Sequence, residues 1–235
     1  MAFEIVSGRD PEESSRNYAY RLLRKNIMML HLEPGTVLSE GDLSEQLGMS
    51  RTPVHEALIL LKNEGLVDIL PQRGSKVSFI SLSFVKEGFF MRQILEAAII
   101  EEIAGTLTPE QMSLLKDNLE QQERVLRDSS GQPTDEFFDL DDRLHRYLYE
   151  FSRRQRIWSA THSLNSHYDR IRYLDTIINT VDLSKIVEQH NTLYYYLLLG
   201  IPGDVDIRKF CRRHLGRFQI DFKKTIASRP GYFVD

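Results

Sequence analysis

The stretch Leu38-Ser-Glu-Gly-Asp-Leu-Ser-Glu-Gln-Leu-Gly-Met-Ser-Arg-Thr-Pro-Val-His-Glu-Ala-Leu58 leaves this chain few ways to fold. Ser39 is a good helix N-cap and Asp42, three residues on, approximates a capping box, so a helix is expected to begin near Glu40. Leu43 and Leu47 share one face, and Gly48 supplies the left-handed residue that ends a helix. Ser50 then caps a second helix, where Pro53 is tolerated because first-turn amides lack intrahelical acceptors. Val54, Leu58 and Leu61 give that helix its buried stripe and leave Ser50, Arg51, Thr52 and His55 at its exposed N-terminal end. The pattern is a helix-turn-helix, whose second helix meets base edges and phosphates.

The flanks agree with it. Tyr18, Leu22, Leu23, Ile27 and Leu30 recur at three- and four-residue intervals and predict an amphipathic helix closing on the motif. Beyond it, Leu66–Leu70 and Lys76–Ile80 read as two short strands about the turn Pro71-Gln-Arg-Gly74, a β-hairpin wing with Arg73 at its tip. Such a wing either covers the core or touches phosphate or the minor groove.

The first third of the chain resembles a known family. Pro34-Gly35, Leu38, Glu40, Leu43, Leu47-Gly48, Ser50-Arg51-Thr52-Pro53-Val54, Glu56-Ala57-Leu58, Leu61, Glu64-Gly65-Leu66-Val67 and Arg73-Gly74 look like the winged-helix signature of GntR-type bacterial transcription regulators. Three positions depart from the family's habit. His55 stands where an arginine is common, and Ile59 and Leu60 replace polar or basic residues. These changes lower the charge near DNA.

Charge needs care here, because the chain's formal net value is −4. Acids outnumber bases in the first eighty residues, but Arg51, Lys62, Arg73 and Lys76 fall on the helix and wing that would face DNA. A dimer doubles that patch. Cys211 is the only cysteine, which excludes an intrachain disulfide framework and suits a reducing cytoplasm. No apolar run approaches the length of a membrane span, and Met-Ala-Phe-Glu-Ile at the start lacks the features of a signal peptide.

Near Ser81 the strand signals stop, and helices are expected over 82–105, 108–129, 134–151, 154–179, 183–199 and 204–227. At 235 residues there is room for two cores. The expected fold is mostly α: a winged helix-turn-helix domain over residues 1–80 with a small β-hairpin wing, then an all-α antiparallel bundle over 81–235.

That second region carries four residues of metal-ligand type. Asp141 and His145 are four apart, so one helix points both the same way. His190 and His214 lie on the last two expected helices, which the Gly200–Gly203 turn folds back on each other. Three imidazoles and a carboxylate suit zinc, nickel, manganese or iron; by spacing alone, packed or surface histidines fit as well. His31, His162 and His167 have no comparable spacing.

Asp141-x-x-x-His145, Glu188-Gln-His190, Arg213-His214-Leu215 and Arg92-x-x-Leu95-Glu96 resemble the FCD domain, the helical effector domain of the FadR subfamily of GntR regulators. The resemblance implies Asp141, His145, His190 and His214 as ligands of a divalent cation, with a small organic acid bound beside or upon it. Arg92 and Arg172 are the candidate partners of that acid's carboxylate. The expected protein is therefore a ligand-responsive regulator, repressor or activator, binding a two-fold operator as a homodimer. Two rivals are a metal-dependent enzyme using the three-His/one-Asp set and a regulator whose metal is purely structural.

Overall fold

The computed structural model describes residues 8–70, 74–179 and 181–235, the Ser163 side chain excepted. The chain forms two compact units. One comprises Met1–Lys86, Ser163–Leu174 and Ile226–Asp235; the other comprises Glu87–His162 and Asp175–Thr225.

In the first unit, Ser14 caps α1 (Ser15–Met28) by accepting from the Asn17 amide. Ser39 does the same for α2 (Glu40–Leu47) through the Asp42 amide, and Gly48 ends that helix in the left-handed region at φ 62°. At the next helix, α3 (Arg51–Asn63), Ser50 holds the N-cap backbone conformation but its side chain caps nothing. Pro53 sits in the first turn, as expected. Leu23, Ile27, Leu43, Val54, Leu58 and Leu61 close into one core with Leu66, Val67 and Val77. Each such side chain taken from water contributes about 1.5–3 kcal/mol.

The wing differs from its expected bounds. Strands β2 (Val67–Leu70) and β3 (Gly74–Val77) pair antiparallel, and an unforeseen strand, β1 (Val37–Leu38), adds to β3 on its other edge. Gly74 is the first residue of β3; Pro71, Gln72 and Arg73, with the expected contact at the tip, lie outside the described residues. Ile80 is not part of the hairpin. It belongs to β4 (Ile80–Ser81), paired parallel with β5 (Phe233–Val234), so strand structure returns after the helical region. Asp235 then accepts from the Leu82 amide at 2.8 Å and the Ser83 hydroxyl at 2.8 Å, holding the start of α4 (Leu82–Ile103).

Helices α5 (Pro109–Asp128), α6 (Asp135–Phe151) and α9 (Leu183–Leu199) match expectation within two residues. Two expected helices are broken. Residues 154–179 form α7 (Gln155–Leu164) and α8 (Ser166–Asn179), separated at buried Asn165, whose carbonyl accepts from the Asp169 amide. Residues 204–227 give α10 (Ile207–Leu215), a short 3₁₀ turn and α11 (Phe222–Ser228). Asp206 sets the start of α10 by accepting from the Arg208 and Lys209 amides. Gly216 follows its end, where a Cβ would stand 2.5 Å from the Arg212 carbonyl and 3.2 Å from the Phe89 ring. Only glycine fits there.

The N-terminal half of α8 belongs to the first unit and caps the end of α3. Ser166 Oγ donates to the Glu64 carbonyl at 3.1 Å, and buried Arg170 donates to the Ser78 carbonyl at 2.8 Å. His167 Nδ1 accepts from the Ser81 amide at 3.1 Å and lies 3.0 Å from Arg170 Nη2, while its other nitrogen hydrogen-bonds the Gly65 backbone. With no carboxylate bonded to it among the described residues, burial pushes the Arg170 guanidinium down to about 9.

Candidate metal centre and DNA-reading helix

In the second unit α5, α6, α9 and α10 each turn a polar group inward from an otherwise apolar face. On α6 the buried stripe runs Phe137, Leu140, Asp141, Leu144, His145, Leu148, so ligand-type residues alternate with packing residues at helical spacing. His190 interrupts the stripe of α9, and His214 that of α10. All three imidazoles are buried, and the three offer ligand atoms lying within 4.8 Å of one another. Ring centroids of His190 and His214 are 4.8 Å apart, so the turn between α9 and α10 does bring them into phase. Asp141 Oδ1 lies 3.5 Å from His190 Nε2, placing the carboxylate beside the same cluster.

The second nitrogen of each ring is held from another residue. His145 Nδ1 meets Glu96 Oε2 at 2.8 Å, His190 Nδ1 meets Gln122 Oε1 at 2.8 Å, and His214 Nδ1 meets Gln189 Oε1 at 2.8 Å. An imidazole whose Nδ1 donates presents a lone pair at Nε2, the form that binds a cation. Arg92 Nε donates to Glu96 Oε1 at 2.7 Å. Burial raises the Glu96 carboxyl, but the Arg92 charge and the hydrogen bonds from Arg92 and His145 outweigh it and hold the group near 2. Glu96 is therefore an anion and only accepts. His145 Nε2 and His214 Nε2 stand 3.3 Å apart. The donor set fits a divalent cation of the kind that takes nitrogen and oxygen ligands.

Arg92 is brought to this cluster through Glu96. Arg172 is not; it falls in the first unit, half-buried, 3.6 Å from Asp169 and over the Tyr168 ring. In the sequence, Glu96 and Gln189 figure only as members of the motifs Arg92-x-x-Leu95-Glu96 and Glu188-Gln-His190, and Asn118 and Gln122 belong to none. A signal for two of them exists. Asn118 and Gln122 interrupt the buried stripe Met112, Leu115, Leu119, Val125 of α5, and a buried amide needs a partner.

At the other end of the chain, Ser50, Arg51, Thr52 and His55 are all exposed about the first turns of α3. His55 Nδ1 is 2.8 Å from Glu40 Oε1, so the imidazole is oriented from α2. The Arg51 guanidinium crosses Gly41, where a Cβ would come within 3.3 Å of it. Arg21, Arg24 and Lys76 are drawn to Glu13, Glu64 and Asp68 respectively. On α3 itself the cationic side chains are Arg51 and Lys62.

Residues 16–77 match the family described as bacterial regulatory proteins, gntR family, and residues 87–200 match the FCD domain. The HTH-type transcriptional repressor RspR of Escherichia coli (strain K12) is 38% identical over 165 residues, covering 70% of this chain and 71% of that one. The chain belongs to the GntR family. An uncharacterized HTH-type transcriptional regulator of Streptomyces ambofaciens is 34% identical over 222 residues, covering 94% of this chain and 90% of the other. Among solved structures, a GntR transcriptional regulator from Rhodococcus sp. RHA1 superposes with a TM-score of 0.71 at 17% identity, covering 92% of this chain and 99% of that one. E. coli McbR/YncC gives 0.69 at 22%, covering the same shares, and both show the likeness of fold. This GntR-family protein is thus a DNA-binding transcription regulator with an FCD effector domain, not an enzyme. No helix among its described residues is long and apolar enough to cross a membrane.

Proposed function

We propose that this regulator is of the FadR subfamily, that it binds a two-fold operator as a homodimer, and that its operator affinity responds to a small organic acid. Residues 1–80 are the DNA-reading domain in this reading, with Ser50, Arg51, Thr52, His55 and Arg73 at the duplex; residues 81–235 are the effector domain. Asp141, His145, His190 and His214 would hold the divalent cation, of the zinc, nickel, manganese or iron class. When bound, it supplies a Lewis-acidic centre that attracts a carboxylate oxygen.

The observation that carries the reading is the set of three buried imidazoles with every Nδ1 engaged from outside the cluster. Charge supports the acid. Asp141 and Glu96 are balanced by a divalent ion, and Arg92 leaves the assembly one positive charge, which an organic anion would satisfy. Arg92 is itself buried behind Glu96, so its part is to hold that carboxylate and add charge. For Arg172 no such part is supported.

Elemental analysis of purified protein, followed by calorimetry of the metal-loaded form against a panel of small carboxylates, tests this. One equivalent of metal with a carboxylate bound upholds it. Metal without any carboxylate binding would favour a purely structural ion, and absence of metal uptake would overturn the site.

A further inference from the structure

The three histidines of the cluster are not held equally firmly. His190 Nδ1 meets Gln122 Oε1 at 2.8 Å; Gln122 Nε2 donates to Asn118 Oδ1 at 2.8 Å; Asn118 Nδ2 donates to the Leu140 carbonyl at 3.1 Å. All three side chains are buried. A carbonyl can only accept, so its presence at the end fixes the direction of the whole chain. Turning over either amide would set oxygen against oxygen between buried groups. Gln122 therefore presents oxygen to His190, and His190 must carry its proton on Nδ1. His145 is fixed by other means, because the Glu96 carboxylate that faces its Nδ1 takes the Arg92 Nε–H on its other oxygen and acts as an acceptor.

His214 meets a more exposed residue. Its partner Gln189 is half-exposed, and the Gln189 amide nitrogen has no protein partner among the described residues. Solvent lets that amide turn over and offer nitrogen instead of oxygen. His214 Nε2 also faces His145 Nε2 at 3.3 Å, and the latter is a fixed lone pair. Without a cation, the favourable arrangement is His214 with its proton on Nε2, donated to His145. With a cation, both nitrogens must offer lone pairs, so the proton moves to Nδ1 and Gln189 returns its oxygen.

We propose that the Leu140–Asn118–Gln122 chain and Glu96 lock His190 and His145 in the Nδ1–H form, whereas His214 changes tautomer, together with the Gln189 amide, when the divalent cation binds. Asn118 and Gln122 are positioning residues here. The proposal rests on the metal reading only for its second half.

Imidazole ¹⁵N–¹H long-range correlation spectra distinguish the two tautomers. They would be recorded on chelator-treated full-length protein at about pH 8, above the free imidazole range, and again with one equivalent of zinc. The expected result is Nδ1–H for His145 and His190 in both samples, and a change from Nε2–H to Nδ1–H for His214. Gln122→Leu should release His190 to a mixture of tautomers and weaken zinc about tenfold by chelator competition. The wild-type spectra test the lock directly even if Gln122→Leu fails to fold. An Nε2–H signal from His190 in the zinc-free protein would overturn the lock, and one unchanged His214 tautomer in both samples would overturn the switch. The expected zinc-free pattern without zinc uptake would defeat the metal reading and the switch together, leaving the locks standing.

Discussion

His145 on α6 and His214 on α10 point Nε2 at Nε2 across 3.3 Å although 69 residues separate them in the chain. Two nitrogens that close attract only through a shared proton or a cation. Metal removal should therefore cost stability. A ligand that binds only the native state adds about 2.7 kcal/mol at a free concentration 100 times its Kd. Dialysis against chelator should lower the thermal midpoint and zinc should restore it. His145→Ala and His190→Ala should each abolish stoichiometric metal by elemental analysis; full retention in both would remove the site.

If α3 reads the operator, binding should depend on its exposed start. Arg51→Ala should weaken binding to the cognate operator by about 1–3 kcal/mol, because it deletes a charge-assisted contact. The side chain lies outside the core, so the circular dichroism spectrum should be unchanged. Fluorescence anisotropy that shows equal affinity for the two proteins would mean α3 does not read DNA through this residue.

His167 should make the first unit acid-sensitive. Burial, then the Arg170 charge, depress its pKa from 6.5 to about 3. Above pH 6.5 neither the folded nor the unfolded imidazole is protonated, so the native contacts keep their full effect. As pH falls from 6.5 toward 3 the unfolded chain takes up the proton first, and stability drops by about 1.4 kcal/mol per pH unit. Urea midpoints of chelator-treated protein at several pH values should show a steeper acid slope than those of His167→Gln. Parallel slopes would contradict the assignment.

Coupling between effector and operator should be reciprocal. If a carboxylate changes operator affinity, operator must change carboxylate affinity by the same factor, ordinarily about 1–3 kcal/mol. His214→Ala should reduce that response and leave effector-free operator affinity nearly intact, since α10 and α3 belong to different units. An undiminished response in the variant would separate the cluster from regulation. Loss of operator binding without effector would instead assign the cluster to holding the fold.

Much of the first unit could be read residue by residue because its signals are local. Ser39 and Gly48 act on backbone groups within three or four positions, and Val54, Leu58 and Leu61 declare one face by spacing alone. The wing's third strand could not be read this way: Val37–Leu38 is two residues long and exists through pairing with Lys76 and Ser75. Nor could the pair of Ile80–Ser81 with Phe233–Val234, which joins the beginning of α4 to the last residues of the chain.

The same division runs through the candidate metal centre. Sequence by itself determined that Asp141 and His145 share a helical face, since four residues are nearly one turn whatever surrounds them. It also marked His190 and His214 as ligand types on neighbouring helices. Only tertiary structure decided which nitrogen of each ring faces inward, because that depends on acceptors from elsewhere: Glu96 on α4, Gln122 on α5 and Gln189 on α9. It likewise decided that Arg92 reaches the cluster through Glu96 while Arg172 pairs with Asp169. A helix repeat fixes direction along one element; the proton on an imidazole is fixed by its neighbours in space, and those are set by packing.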